Sequence, residues 1–134
     1  MAELFNRITD SELVVAAATA VTTTASTTAV NIPSIGAGDE DLGLMLVLSS
    51  LAGTFDASNY YTVELLASET SGGTYYTVTN DIVNAAGVKL VAFNTKQVQA
   101  AVGSENAAYY KLTVTKVGST ATGITVAATI VSGE

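Results

Sequence analysis

The chain has no cysteine, no histidine and no tryptophan, and one proline in 134 residues. Without cysteine there are no disulfides, and the redox compartment is unreadable. Zinc ligation by His and Cys is excluded, as are the Ser-His-Asp and Cys-His nucleophile systems. Charge is also scarce. Charged residues make up 13% of the chain, against roughly 25% in typical soluble domains. Acids outnumber bases 12 to 5, for a net charge of −7. Nucleic-acid binders normally carry a basic patch, whereas Arg7, Lys89, Lys96, Lys111 and Lys116 are scattered. Neither a nucleic acid nor an anionic membrane surface is therefore expected as a partner. The glycines match neither G-x-G-x-x-G nor a P-loop. No cofactor is expected.

Small neutral and β-branched residues stand where the charge is missing. The chain holds 21 Ala, 20 Thr, 16 Val and 11 Ser, together half its length. A surface of such side chains is cheap to desolvate, and interface cores are depleted in charge. This composition predicts that other subunits cover much of the surface. The plainer alternative is a sheet-rich protein with a quiet exterior. The length suits one domain, residues 1–134, with a core of its own.

The clearest local signal is residues 60–79. Tyr61, Val63 and Leu65 alternate with Tyr60, Thr62 and Glu64, the period-two pattern of a half-buried strand. Residues 74–79 are all β-branched or aromatic and read as its partner strand. Ser71, Gly72 and Gly73 join them, and the glycines are expected to supply positive φ. Glu69 and Thr70 leave the turn type open.

The rest of the chain varies this theme. Residues 1–11 form a possible N-terminal arm, with Leu4, Phe5 and Ile8 spaced for one face of a helical turn. Residues 1–12 lack the basic start and apolar stretch of a secretory signal. The apolar run 13–21 is too short to span a bilayer. Alanines in 12–32 permit helix, but its valines and threonines favour extended structure, so strands are expected at 12–21 and 27–32 with a bend between. Pro33 ends the second. Residues 42–51 are apolar on both faces, which predicts a central strand covered on both sides. Residues 80–87 read as a connection. In 88–94, Val88, Leu90 and Ala92 lie opposite Lys89, Val91 and Phe93. A helical turn over Val98 and Val102, ended by Gly103, is expected to cross between sheets. Residues 108–117 alternate cleanly, 118–123 form a turn, and Ile124, Val126, Ala128 and Ile130 point inward on a last strand. About eight short strands separated by Gly, Ser, Asn and Asp predict an all-β fold, an antiparallel β-sandwich. A jelly roll fits best, with an immunoglobulin-like sandwich as runner-up.

Candidate chemistry is thin. Asp39, Glu40 and Asp41 are three neighbouring carboxylates, and calcium takes oxygen ligands. Their spacing does not match an EF-hand, so a solvated acidic loop is expected. A glycosidase needs two carboxyls about 5 to 10 Å apart. Glu64 lies on a face with Tyr60 and Thr62 and reads as a solvated strand charge. No catalytic residue, and no enzyme, is predicted. Tyrosines come in adjacent pairs at 60/61, 75/76 and 109/110. Adjacent strand residues face opposite ways, so each pair is expected to place one ring inside and one outside. Tyr60 and Tyr109 are then candidate interface anchors, with Leu4, Phe5 and Ile8 on the arm. A sugar-stacking platform is the other use for outer rings.

One resemblance covers nearly the whole chain. Ala2-Glu3-Leu4-Phe5-Asn6 leads into a Ser/Thr/Ala-rich strand. Ile35-Gly36-Ala37-Gly38-Asp39 leads into the apolar 42–48. The hairpin TVELLASETSGGTYYTV follows at 62–78, then Tyr109-Tyr110-Lys111-Leu112 and the Thr/Ala/Val-rich 121–131. This layout resembles the small jelly-roll cement, or decoration, proteins of tailed-bacteriophage capsids. The resemblance implies a non-enzymatic virion component on the outer capsid surface. It would form a homotrimer and bridge neighbouring copies of the major capsid protein. Another virion part, such as a tail or head-fibre protein, is the nearest alternative. A carbohydrate-binding or adhesion sandwich is the next.

Overall fold

A computed structural model describes residues 14–32 and 41–132. Nine strands and one helix follow in chain order. They are β1 (Val14–Val21), β2 (Thr24–Ser26), β3 (Val30–Asn31), β4 (Asp41–Gly53), β5 (Tyr60–Ser68), β6 (Tyr76–Val83), β7 (Gly87–Asn94), α1 (Thr95–Val102), β8 (Tyr109–Val117) and β9 (Ala121–Ser132). The first sheet has the order β1-β9-β4-β7 and the second β2-β8-β5-β6, with β3 also on β8. Every ladder is antiparallel.

The order separates the two sandwiches that strand periodicity left open. Most consecutive strands change sheet; β5 and β6 remain neighbours in one sheet, and β2 and β3 share β8. An immunoglobulin sandwich keeps several sequential pairs together in its ABED and CFG sheets. Alternation between two four-stranded layers is the double Greek key of a jelly roll. With β2 and β3 counted as one interrupted strand, the expected eight are present.

The core lies between the sheets and comes directly from alternation. Leu42, Leu44, Leu46 and Leu48 of β4 are at most 5% exposed, and Val91 and Phe93 of β7 and Ile124, Val126 and Ile130 of β9 join them. Facing them are Tyr61, Val63 and Leu65 of β5 with Tyr110, Leu112 and Val114 of β8. A fully buried side chain of this size contributes about 1.5–3 kcal/mol. Helix α1 packs against β5, β6 and β7, between the first-sheet β7 and the second-sheet β8, as expected. Asn94 and Gln97 cap its start reciprocally, with Gln97 N donating to Asn94 Oδ1 at 2.9 Å and Asn94 N to Gln97 Oε1 at 3.0 Å. Gly103 ends it at φ 86° and donates to Gln99 O.

Several boundaries differ from expectation. The bend after β1 is confined to residues 22 and 23, and β2 begins at Thr24. The expected strand 27–32 is instead interrupted, with only Val30–Asn31 in strand form. At the interruption Thr27 N donates to Leu112 O, and Thr27 Oγ1 accepts from Leu112 N at 3.0 Å. A side-chain oxygen there takes the place of a ladder carbonyl. The 74–79 strand runs later, to Val83, because Asn80 pairs with Glu64 and Asp81 with Val63. Ladder pairing overrides the turn preference of Asn and Asp, and the connection shrinks to 84–86. Gly72 and Gly73 are not in positive φ. The hairpin loop is longer than a tight turn and closes through Gly73 N to Thr70 O at 3.2 Å.

Candidate interaction surfaces

The two outer faces of the sandwich differ in chemistry. On the first sheet the register aligns Gly43, Met45 and Val47 of β4 with Ala92, Leu90 and Val88 of β7. On the other side it aligns them with Val131, Thr129 and Ala127 of β9. Since the neighbouring leucines of β4 point into the core, these residues point outward. Val88 is 69% exposed, Leu90 58% and Val47 42%. Leu90 lies over Gly43, where a Cβ would meet Leu90 Cδ1 at 2.6 Å. Asp41 and Lys89 are the only charged side chains on the four strands of this sheet. Lys89 sits on the opposite parity to Val88 and Leu90, and its Nζ binds Asp81 at 3.2 Å and Ile82 O at 2.7 Å.

This corrects the reading of 42–51 as covered on both sides: one side is buried, and the other is open at Val47, half-buried at Met45 and covered at Gly43 only by Leu90 of the same sheet. It also decides the sides of 88–94. Val91 and Phe93 face in, and Val88 and Leu90 face out. The signal was present in Phe93, the bulkiest residue of the segment, which marks the buried parity.

The outer face of the second sheet is mostly polar, with Ile82, opposite Thr62 and 44% exposed, as its apolar exception. Ser26 and Thr113 share a hydroxyl–hydroxyl hydrogen bond at 2.9 Å. Thr77 Oγ1 donates to Glu64 Oε2 at 3.0 Å, so Glu64 is a strand charge held diagonally by a residue of β6 whose own partner is Leu66. Lys111 Nζ stands 4.3 Å over the Tyr75 ring.

Two of the tyrosine pairs divide as alternation requires. Tyr61 and Tyr110 are fully buried, and Tyr60 and Tyr109 are half-buried. The Tyr61 hydroxyl donates to Thr22 O at 2.5 Å, and burial pushes its pKa up. Burial pushes the Tyr110 pKa up much further, and its hydroxyl has no hydrogen-bond partner among the described residues. The third pair does not divide this way. Tyr76 is 44% exposed and Tyr75 half-buried, with Tyr75 Oη donating to Ser71 O at 2.8 Å. Tyr75 precedes β6 and escapes strand alternation. Tyr60 opposes Val117 and Tyr109 opposes Ser68, so they stand at opposite ends of the β5–β8 ladder and form no common row. Leu4, Phe5, Ile8, Asp39 and Glu40 lie outside the described residues.

Nothing described gathers groups for catalysis. No cluster of three Asp or Glu suited to a metal ion exists among the described residues. Exposed Asp41 opens β4. A groove of 280 Å³ at Asp41, Leu90 and Gln97 holds that one carboxylate, and one of 220 Å³ beside Thr74 and Tyr76 holds Glu69 alone. Neither offers a facing carboxylate pair. Among the described residues no helix is long and apolar enough to cross a membrane.

No family model and no curated protein matches the chain. Solved structures do. A structure of infectious bursal disease virus Gt strain is 15% identical, over 90% of this chain and 32% of its own, with a TM-score of 0.46. The crystal structure of the infectious bursal disease virus VP2 subviral particle is 16% identical, over 90% and 31%, at 0.43. The crystal structure of the Yersinia pseudotuberculosis-derived mitogen is 13% identical, over 88% and 90%, at 0.40. This chain thus spans about a third of the length of the viral chains it matches. Its own hydrogen-bond ladders, rather than these likenesses, carry the assignment of architecture.

Proposed function

We propose that this chain is a structural virion protein, a capsid cement protein that acts by contact and catalyses nothing. In this reading it forms a homotrimer on the outer surface of a phage head and clamps neighbouring major capsid proteins. The observation that carries the proposal is the largely apolar outer face of the first sheet, with Asp41 its one charged side chain, on a chain of net charge −7. Monomeric soluble proteins rarely leave such a face open, and large apolar patches mark interaction sites. The resemblance in layout to phage cement proteins supplies the kind of partner. The contacts with neighbouring subunits would include the arm residues Leu4, Phe5 and Ile8, and the half-buried rings of Tyr60 and Tyr109. A clamp across capsomer boundaries needs broad contact of low desolvation cost, which small neutral side chains provide.

The test is attachment. Purified chain is mixed with phage capsids assembled without it, and the particles are sedimented and heated. Saturable co-sedimentation and a higher rupture temperature are expected. Absence of binding to heads, with binding to isolated tails or fibres, would move the protein elsewhere on the virion. Binding to a glycan panel without binding to any virion part would replace the proposal with an adhesion module.

A further inference from the structure

We infer that the outer face of the first sheet, centred on Val88 and Leu90 of β7 and Met45 and Val47 of β4, is covered by a second copy of this chain. The inference rests on the proposed self-association but assigns this face a two-fold contact, because a face packed on its own copy pairs two chains and not three. Size is the first argument. A four-stranded face about eight residues long covers roughly 500 Å², from a strand spacing of ~4.8 Å and a rise of ~3.4 Å per residue. Two such faces together bury roughly 1,000 Å², the size at which specific interfaces begin.

Charge is the second argument. Two copies at −7 each repel, and this is the face on which they can meet with the fewest like charges in contact. A basic partner would find only Asp41 at the end of β4, and an acidic partner no charged group at all. A neutral, flat, apolar partner fits, and the chain itself presents one. Position is the third argument. β7 is an edge strand, so its two most exposed apolar side chains stand at the sheet's rim, where a neighbouring copy can reach them.

The experiment is light scattering on a dilution series of the full chain, its Val88→Glu and Leu90→Glu variants, and Thr113→Glu as a control on the opposite sheet. Val88 is the most exposed apolar residue, so a glutamate there stays solvated in the lone chain. Circular dichroism and melting confirm the fold. The parent chain should associate, and the Thr113 variant should match it. Val88→Glu should raise the dissociation constant about a hundredfold or more, because association would bury an unpaired carboxylate. Added salt should tighten the parent's association by screening the like charges. A parent chain that is monomeric throughout, or a Val88→Glu variant that associates as tightly as the parent, overturns the inference. Capsid attachment is scored separately. If it persists while Val88→Glu leaves association unchanged, the cement reading stands and this face is not the self-contact. If attachment fails while Val88→Glu abolishes association, the face is established and the cement reading falls.

Discussion

The first and second sheets are built by the same alternation, yet they turn different faces outward. An antiparallel sheet with one side to solvent normally alternates apolar in and polar out. The second sheet mostly obeys: Thr113 bonds Ser26, Thr77 bonds Glu64 and Lys111 stands over the Tyr75 ring, with Ile82 the exposed apolar exception. The first sheet fills the centre of the same parity with Met45, Val47, Val88, Leu90 and Ala127, with Asp41, Asn94, Thr125 and Thr129 as its polar members. Its inner side is packed as well as that of the second, with Leu46 and Leu112 both at 0% exposure. Building the sandwich therefore does not account for the apolar exterior. Where a residue is free of packing demands and still apolar, contact with something outside the sandwich is what it can serve.

This comparison fails if the two sheets do not share one core. Leu46→Ala and Leu112→Ala should each cost about 2–5 kcal/mol, seen as a fall in melting temperature of roughly 10 °C or more. A large loss for one and none for the other would mean that one sheet is only loosely attached. Next in size is a contrast within the second sheet. Tyr61→Phe should cost about 1 kcal/mol in urea titrations, because Thr22 O loses its donor. Tyr110→Phe should be neutral or stabilising by up to about 1 kcal/mol, since its hydroxyl is buried without a partner among the described residues. Equal losses would mean that the Tyr110 hydroxyl is satisfied after all.

The inner half of this architecture was legible in the sequence. Parity alone places Tyr61 to Leu65, Tyr110 to Val114 and Ile124 to Ile130, and each such set is buried; Leu42 to Leu48 are buried too, but parity does not tell them from the other side of β4. The division of Tyr60/Tyr61 and Tyr109/Tyr110 followed from the same rule. Strand order was not legible. The pairing of Leu42 with Ser132 joins residues at distant points of the chain, and periodicity carries no record of it. The open side of β4 was missed because an apolar residue reads the same whether a sheet or a partner covers it. Asn80 and Asp81 were misread as a turn because local preference yields to a ladder already fixed on β5. The capping box Asn94-x-x-Gln97 is written in the sequence at the helix start, as Gly103 is at its end. Of the candidate contacts, Tyr60 and Tyr109 were placed as half-exposed, but their separation required the β5–β8 register.

Smaller effects sharpen the contrast between the exteriors. Val88→Thr should change folding stability by less than about 0.5 kcal/mol, as exposed substitutions do, while lowering the binding of a hydrophobic dye. Thr77→Val on the second sheet should cost about as little and raise dye binding. If Val88→Thr left dye binding unchanged, the first sheet's face would not be an open apolar surface.

The smallest expected effect concerns how the two sheets are joined at one end. The loop from β4 to β5 and the turn from β8 to β9 both cross between sheets. Asn59 ties them: its Oδ1 accepts from Ser119 N at 2.9 Å and Thr120 N at 3.0 Å. Its Nδ2 donates to Asp56 Oδ1 at 2.9 Å, which also accepts from Ser58 N. Gly118 passes close by in positive φ, and a Cβ there would collide with Asn59 Oδ1 and Ser58 O. The bond from Asn59, and then that from Ser58, holds the Asp56 carboxyl below its ordinary 3.8. A carboxylate whose pKa is lowered on folding stabilises the fold above its ordinary value, and that contribution fades as the pH falls through the lowered one. Asp56→Asn keeps an acceptor but removes the charge. It should therefore melt slightly below the parent near neutral pH, with the gap closing as the pH drops under 3.8. Asp56 is solvent-exposed, so the gap should be small and should shrink in high salt. A gap that stayed constant through the acid range would show that Asp56 acts through the shape of its hydrogen bonds and not through its charge.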